Sequence, residues 1–174
     1  MRSWKTPTPD QVSRAVAQLS HAERYRYFFD RLENPTWLEP LSTKGFFKKP
    51  PDPRKDDMKG SIGFPPWPES RYLVRMAKLD EAQETVLRIA LEIPDTENIS
   101  VHEDLAEVAL ALPVAMAAKL APKAERWLES PYSLRLPEKL GALAGHLARG
   151  GRPAEALALA ESLLLVVPDP RSES

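Results

Sequence analysis

Hydrophobic residues recur along most of this chain at spacings of three and four, the period of an amphipathic helix. The clearest stripe is Ala82, Val86, Ile89, Ala90 and Ile93. Proline, glycine and capping residues separate the stripes, so the pattern predicts a series of short helices. Short loops make consecutive helices pack antiparallel, which predicts an all-α fold of stacked helical hairpins, an α-solenoid-like architecture. A globular helical domain without repeats is the alternative that periodicity leaves open.

The predicted helices lie on both sides of a segment that has no helical period. That segment, 46–67, is rich in proline and is predicted to be a long ordered loop or extended connector. It separates an N-terminal helical cluster, 1–45, from helical-hairpin repeats over 68–168, and 169–174 form a tail; we expect one continuous domain. Helices are predicted at 9–19, 20–32, 35–44, 68–79, 80–93, 100–112, 113–121, from 122 through Trp127 and Leu128, 137–149 and 153–167.

Three local signals set the predicted helix boundaries most directly. Ser20 with Glu23, and Ser100 with Glu103, match the capping-box pattern at a helix start. Pro122 is predicted to open a new helix, because proline is favoured in the first turn. The predicted hairpins begin near 68, 100 and 137, and so recur at roughly the 30–40 residues that helical repeats use.

The last predicted hairpin, 137–168, carries a family resemblance. Gly151 supplies the turn, Ala156 is small where two helices would cross, and Pro168 ends the unit. This pattern resembles the tetratricopeptide repeat, and the chain as a whole resembles tetratricopeptide- or HEAT-like modules, although Leu163 stands where a second small residue is expected. The resemblance implies an α-hairpin and a scaffold that binds proteins.

A second resemblance covers roughly residues 25–130. The strings Asn34-Pro35-Thr36-Trp37-Leu38, Gly45-Phe46-Phe47 and Trp67-Pro68-Glu69-Ser70-Arg71-Tyr72-Leu73 are similar to segments of large uncharacterised bacterial proteins. This similarity implies a helical module within a bigger chain. It implies no activity.

The final helix is apolar nearly all round, which predicts neighbours on every side. Only a short tail follows it in the sequence, whereas the terminal unit of a repeat array normally has a polar outer face. We therefore predict that Leu159 and Leu164 contact a protein partner, a second copy or the remainder of a longer chain. A folded-back N-terminal helix is the alternative covering.

Aromatic and basic residues gather around the proline-rich segment. Partner-binding roles are predicted for Trp37, Phe47, Trp67, Arg71 and Arg75. Rings beside prolines suit a peptide groove, and rings beside cations suit single-stranded nucleic acid. The third interpretation is that the rings are buried and pin the segment onto the helices.

The charge distribution bears on the same choice. Residues 1–79 contain 15 Lys and Arg against 9 Asp and Glu, whereas residues 80–174 contain 9 against 16. Such asymmetry indicates an anionic partner for the first half, head-to-tail self-association, or an unevenly charged solvated surface. A nucleic-acid-binding module that uses the basic first half is the alternative to a protein-interaction module.

Candidate chemistry is sparse. The chain has no cysteine and three widely separated histidines, His21, His102 and His146. His102-Glu103 lacks the second histidine of a HExxH zinc site, and no set of nucleophile, base and orienting group can be assembled. We therefore expect no enzyme activity, catalytic residue, cofactor or metal. Without a signal peptide or a long apolar run, the expected location is the cytoplasm, with no membrane contact.

Overall fold

The computed structural model describes residues 6–19, 21–56, 61–129 and 135–165, and it confirms the all-α prediction. The α-helices are α1 (Pro9–Ala17), α2 (Ala22–Arg31), α3 (Leu38–Thr43), α4 (Pro68–Met76), α5 (Gln83–Glu92), α6 (Ile99–Ala111), α7 (Val114–Arg126), α8 (Leu136–Arg149) and α9 (Pro153–Leu164). Short 3₁₀ turns are Pro35–Trp37, Phe46–Lys48, Asp80–Ala82 and Trp127–Glu129. Two strands, β1 (Arg54–Asp56) and β2 (Ser61–Gly63), pair antiparallel.

Alternate helices contact one another and form two series. In one series α2 contacts α4, α4 contacts α6 and α6 contacts α8; in the other α1, α3, α5, α7 and α9 are linked in the same way. Contacts within the pairs α4–α5, α6–α7 and α8–α9 join the two series. The buried apolar side chains form one continuous cluster from Val12 to Leu159. Each helix from α4 to α9 thus packs against neighbours in its own series and against the helix with which it is paired.

Basic side chains reinforce the contacts within a series. Arg75 of α4, Lys123 of α7 and His146 of α8 each reach the end of the helix two positions earlier in the chain. The last carbonyls of a helix have no intrahelical donor, and they carry the negative end of its dipole. Arg75 and Lys123 therefore both satisfy these carbonyls and stabilise the contact electrostatically, while a ring nitrogen of His146 lies within hydrogen-bond distance of its carbonyl. The carbonyls reached are those of Phe29 and Leu32 for Arg75, Ala90, Leu91 and Ile93 for Lys123, and Leu112 for His146.

The proline-rich segment has more regular structure than the sequence predicts. It contains the Phe46–Lys48 turn and the β1–β2 pair, and Asn98 anchors it to α6. The Asn98 amide nitrogen donates to the carbonyl oxygens of Pro51 and Pro65, each at 2.9 Å, while its Oδ1 accepts the N–H of Ser100 at 3.0 Å. One fully buried side chain therefore caps α6 and holds both ends of the hairpin segment.

Two predicted helix boundaries are wrong. Asn98, rather than Ser100, is the N-cap of α6, and the Glu103 carboxylate accepts the Arg135 N–H at 3.0 Å instead of closing a capping box. Pro122 lies inside α7 instead of opening a new helix. A proline removes one backbone donor, but the burial of Leu120 and Ala124 on either side holds this helix together.

Two glycines adopt the left-handed backbone conformation that ends a helix. Gly45 has φ 79° after α3, and Gly151 has φ 76° between α8 and α9, as the predicted helix ends require. Ser20, the predicted start of the second helix, and Pro168, the predicted end of the last unit, lie outside the described residues. The structure gives α2 from Ala22 and ends α9 at Leu164.

Candidate functional site

The outer side of α9 is a strongly exposed apolar surface. Leu157 is 60% exposed, Leu164 81% and Leu165 73%, and the exposed Glu161 lies between them in sequence. The spacing of Leu157, Glu161 and Leu164 places them on one side of a helix. We call Leu157, Leu164 and Leu165 the α9 leucine face. It is the part of this helix that a partner can contact.

The opposite side of α9 belongs to the core. Leu159 is fully buried and Ala156 nearly so, and α9 contacts α7 and α8. The prediction that Leu159 contacts a partner is therefore wrong, whereas Leu164 is exposed as that prediction requires. Sequence reasoning did not single out Leu157 and Leu165. The available signal was Glu161, because a carboxylate in the middle of an apolar helix marks the side that faces water.

The three aromatic residues that the sequence predicts to contact a partner are buried. Trp37 is 6% exposed, and Phe47 and Trp67 are each 3% exposed. The Trp37 ring packs edge-on against Phe28, with 5.5 Å between ring centroids. The prediction that these three rings contact a partner is wrong, since their large apolar area instead pins the proline-rich segment to the helices.

The two predicted arginines have different surroundings. Arg75 is half-buried, and its guanidinium is engaged by the carbonyls at the end of α2, so it stabilises the fold. Arg71 is exposed near Asp104; burial raises the pKa of that carboxyl, and the Ser70 hydrogen bond and the Arg71 charge oppose the shift. Asp104 accepts a 2.6 Å hydrogen bond from the Ser70 hydroxyl, which joins α4 to α6. Of the two arginines, Arg71 remains available at the surface.

A groove between α1 and α2 is the second candidate surface. Its volume is about 600 Å³, and its lining includes Leu19, Phe28, Arg24 and the 61% exposed ring of Tyr27. The Arg31 guanidinium lies 5.6 Å from the centroid of that ring. Sequence reasoning missed this groove, because Tyr27 lies on a helix whose other exposed residues are charged. The groove therefore has apolar walls, formed by Leu19, Tyr27 and Phe28, and two basic side chains, Arg24 and Arg31, at its edge.

Several buried titratable groups link helices to one another. The Tyr25 hydroxyl donates to the Glu69 carboxylate, and burial raises the pKa of both groups. Burial lowers the pKa of Lys123, whose ammonium is surrounded by carbonyls at the end of α5. Each of these groups has a bonding partner on another helix that accounts for its position. Within the described ranges, no group of three or more His, Asp and Glu side chains lies close enough to hold a metal ion.

His102 predicts a specific pH dependence of stability. Its ring stacks on Trp127 at 5.3 Å, and burial lowers its pKa from 6.5 to about 4, opposed by Thr96 and Asp95. Below pH 6.5 the unfolded chain binds a proton that the folded chain does not, so stability falls progressively as the pH falls towards 4. The loss attributable to this group is at most about 3 kcal/mol.

The variant His102→Phe keeps a ring on Trp127 and removes the titration. The free energy of unfolding in urea should fall less steeply for the variant than for the wild type between pH 7 and pH 4. The carboxyl groups of Glu69 and Asp104, whose raised pKa values act in the opposite direction, are common to both proteins and cancel in the difference. Parallel pH curves for the two proteins would contradict the assignment.

In the described parts of the chain, the helices are all too short or too polar to cross a membrane. Comparison with protein-family models, with curated proteins and with solved structures finds no match to this chain.

Proposed function

We propose that this chain is a non-catalytic protein-interaction module built from helical repeats, and that the α9 leucine face is its contact surface. The observation that carries the proposal is the exposure of Leu157 and Leu164 on one side of α9, with the exposed Leu165 directly after the helix, while the other side of α9 is buried. Burying one such side chain fully is worth roughly 1.5–3 kcal/mol. Burial of these three exposed leucines against a partner would therefore provide several kcal/mol for binding.

The packing of α9 supports its role as a binding element. It contacts both α7 and α8, and those helices belong to the two series that run through the molecule. A rigid helix presents its side chains in fixed positions, which lowers the entropy lost on binding. An apolar helix face presented in this way suits a hydrophobic groove on a partner.

The nucleic-acid alternative lost its main support. Single-stranded nucleic acid is bound by stacking bases on exposed rings along a basic surface. Trp37, Phe47 and Trp67 are buried and cannot stack on a base in this conformation. The basic charge of the first half remains, and it fits a protein partner with an acidic contact surface equally well.

A photo-crosslinking amino acid at position 164 tests the proposal in the cells that naturally make the protein. We expect a covalent adduct with a second polypeptide, seen as an increase in mass, because Leu164 lies on the proposed contact surface. The matched control places the same group at position 81, where the exposed Glu81 lies in the 3₁₀ turn before α5.

The control position should give no adduct, and Leu157→Glu should remove the adduct formed from position 164. The proposal fails if position 164 gives no polypeptide adduct, or if positions 164 and 81 give the same adducts in the same yield.

A further inference from the structure

We propose that the partner is a second copy of this chain, bound head to tail, with the α9 leucine face of one copy in the α1–α2 groove of the next. This inference rests on the proposed function, which makes the leucine face a contact surface. The two surfaces differ from one another and lie at the two ends of the helix series, in α1–α2 and in α9. Contact between them is therefore heterologous, and it leaves a free surface of each kind for further copies.

The groove provides an apolar environment into which the exposed leucines could be buried. Leu19, Tyr27 and Phe28 line it, and its volume of about 600 Å³ is within the range of cavities that enclose small ligands. Leu164 and Leu165 have only water around most of their surface. Docking the leucines beside the Tyr27 ring would remove apolar area from water on both copies.

Charge complementarity selects this pairing. Glu161 lies within the leucine face, and Arg24 lines the groove. Arg31 lies over the Tyr27 ring and adds a second cation, and the lining of the groove also contains one carboxylate, Glu23. The Glu161 carboxylate of one copy is therefore attracted to the Arg24 and Arg31 guanidiniums of the next.

Pairing of two leucine faces is disfavoured by the same charge. Glu161 is midway between Leu157 and Leu165, so an antiparallel two-fold pair centred on this face sets the two Glu161 carboxylates side by side. Removing like charges from water together is costly. In the head-to-tail arrangement each Glu161 instead lies near Arg24 and Arg31 of the other copy.

Sedimentation and light scattering of the purified chain over a concentration series test the inference. The wild type should rise above the 19.5 kDa mass of one chain as concentration increases, without stopping at a dimer. The tail variant Leu157→Glu/Leu164→Glu and the head variant Arg24→Glu/Tyr27→Ala should each stay monomeric at concentrations where the wild type associates. A cooperative thermal unfolding transition close to that of the wild type is the control that the variants are folded.

Mixing the two variants separates the possible geometries. The tail variant keeps an intact groove and the head variant keeps an intact leucine face, so an equal mixture should form a dimer and nothing larger.

Exchanging the charges of Glu161 and Arg24 provides a second test of the head-to-tail contact. Glu161→Arg and Arg24→Glu should each weaken association at least tenfold, and the protein that carries both should recover most of it.

Association of the head variant at wild-type strength, or a mixture that stays monomeric, would overturn the head-to-tail inference. So would a wild type that stays monomeric at every concentration. If position 164 nevertheless crosslinks to a different polypeptide, the head-to-tail inference fails while the proposed function stands. If position 164 crosslinks to no polypeptide, both fail.

Discussion

Leu159→Glu is expected to unfold the C-terminal hairpin, whereas Leu164→Glu on the same helix is expected to leave the stability of the chain nearly unchanged. Leu159 is fully buried between α9 and the rest of the core, and Leu164 is 81% exposed. A carboxylate at position 159 loses its hydration, and the core loses a leucine side chain, so we expect a loss of more than about 4 kcal/mol. At position 164 the new carboxylate stays in water, and the change is within about 0.5 kcal/mol.

Urea unfolding followed by circular dichroism measures both variants. Leu159→Met serves as the matched control, because it keeps an apolar side chain of similar volume and should cost less than about 1.5 kcal/mol. The assignment of the two sides of α9 is contradicted if Leu164→Glu destabilises the chain as much as Leu159→Glu. The same pair of variants separates effects on stability from effects on association, since of these two residues only Leu164 belongs to the α9 leucine face.

Trp67→Ala is expected to lower the free energy of unfolding by about 3–5 kcal/mol, the cost of removing a large buried aromatic side chain. Trp67 is 3% exposed and directly precedes α4, and its carbonyl oxygen lies 2.8 Å from the Ser70 hydroxyl oxygen. The ring joins the end of the proline-rich segment to the core. Its loss should therefore loosen this segment along with the start of α4.

Arg71→Ala is the matched control for Trp67→Ala, because Arg71 is exposed one turn further along α4. Its effect on stability should be within about 0.5 kcal/mol. Urea unfolding at pH 7 measures both. If Trp67→Ala left stability unchanged, the burial of this ring would be wrong and its predicted role in partner binding would return.

Local signals predicted the elements whose ends depend on nearby residues. Asn34 caps the turn that leads into α3 through a 3.0 Å bond to the Thr36 N–H, and Gly45 and Gly151 adopt the positive φ that ends a helix. These features depend on a few consecutive residues, so one sequence shows them. Ser100 matched the same kind of signal and was wrong, because Asn98 also bonds Pro51 and Pro65, far away along the chain.

The candidate site was predicted only in part. The sequence indicated α9 as an apolar helix and named Leu164, but it could not separate Leu164 from the buried Leu159. The few polar residues of α9, Glu155, Glu161 and Ser162, do not form a continuous polar stripe that would mark its outer side. The α1–α2 groove was missed entirely, since a groove exists only where two helices meet.

The sequence by itself determined that the chain is helical, where most of its helices begin and end, and that its charge divides between two halves. These properties follow from backbone preferences, local hydrogen bonds and composition. The tertiary structure alone decided that Trp37, Phe47 and Trp67 are buried, that Arg75 and Lys123 close the ends of other helices, and that Leu157, Leu164 and Leu165 face outwards. Burial depends on contacts between residues distant in sequence, and periodicity shows only that a face exists, not what covers it.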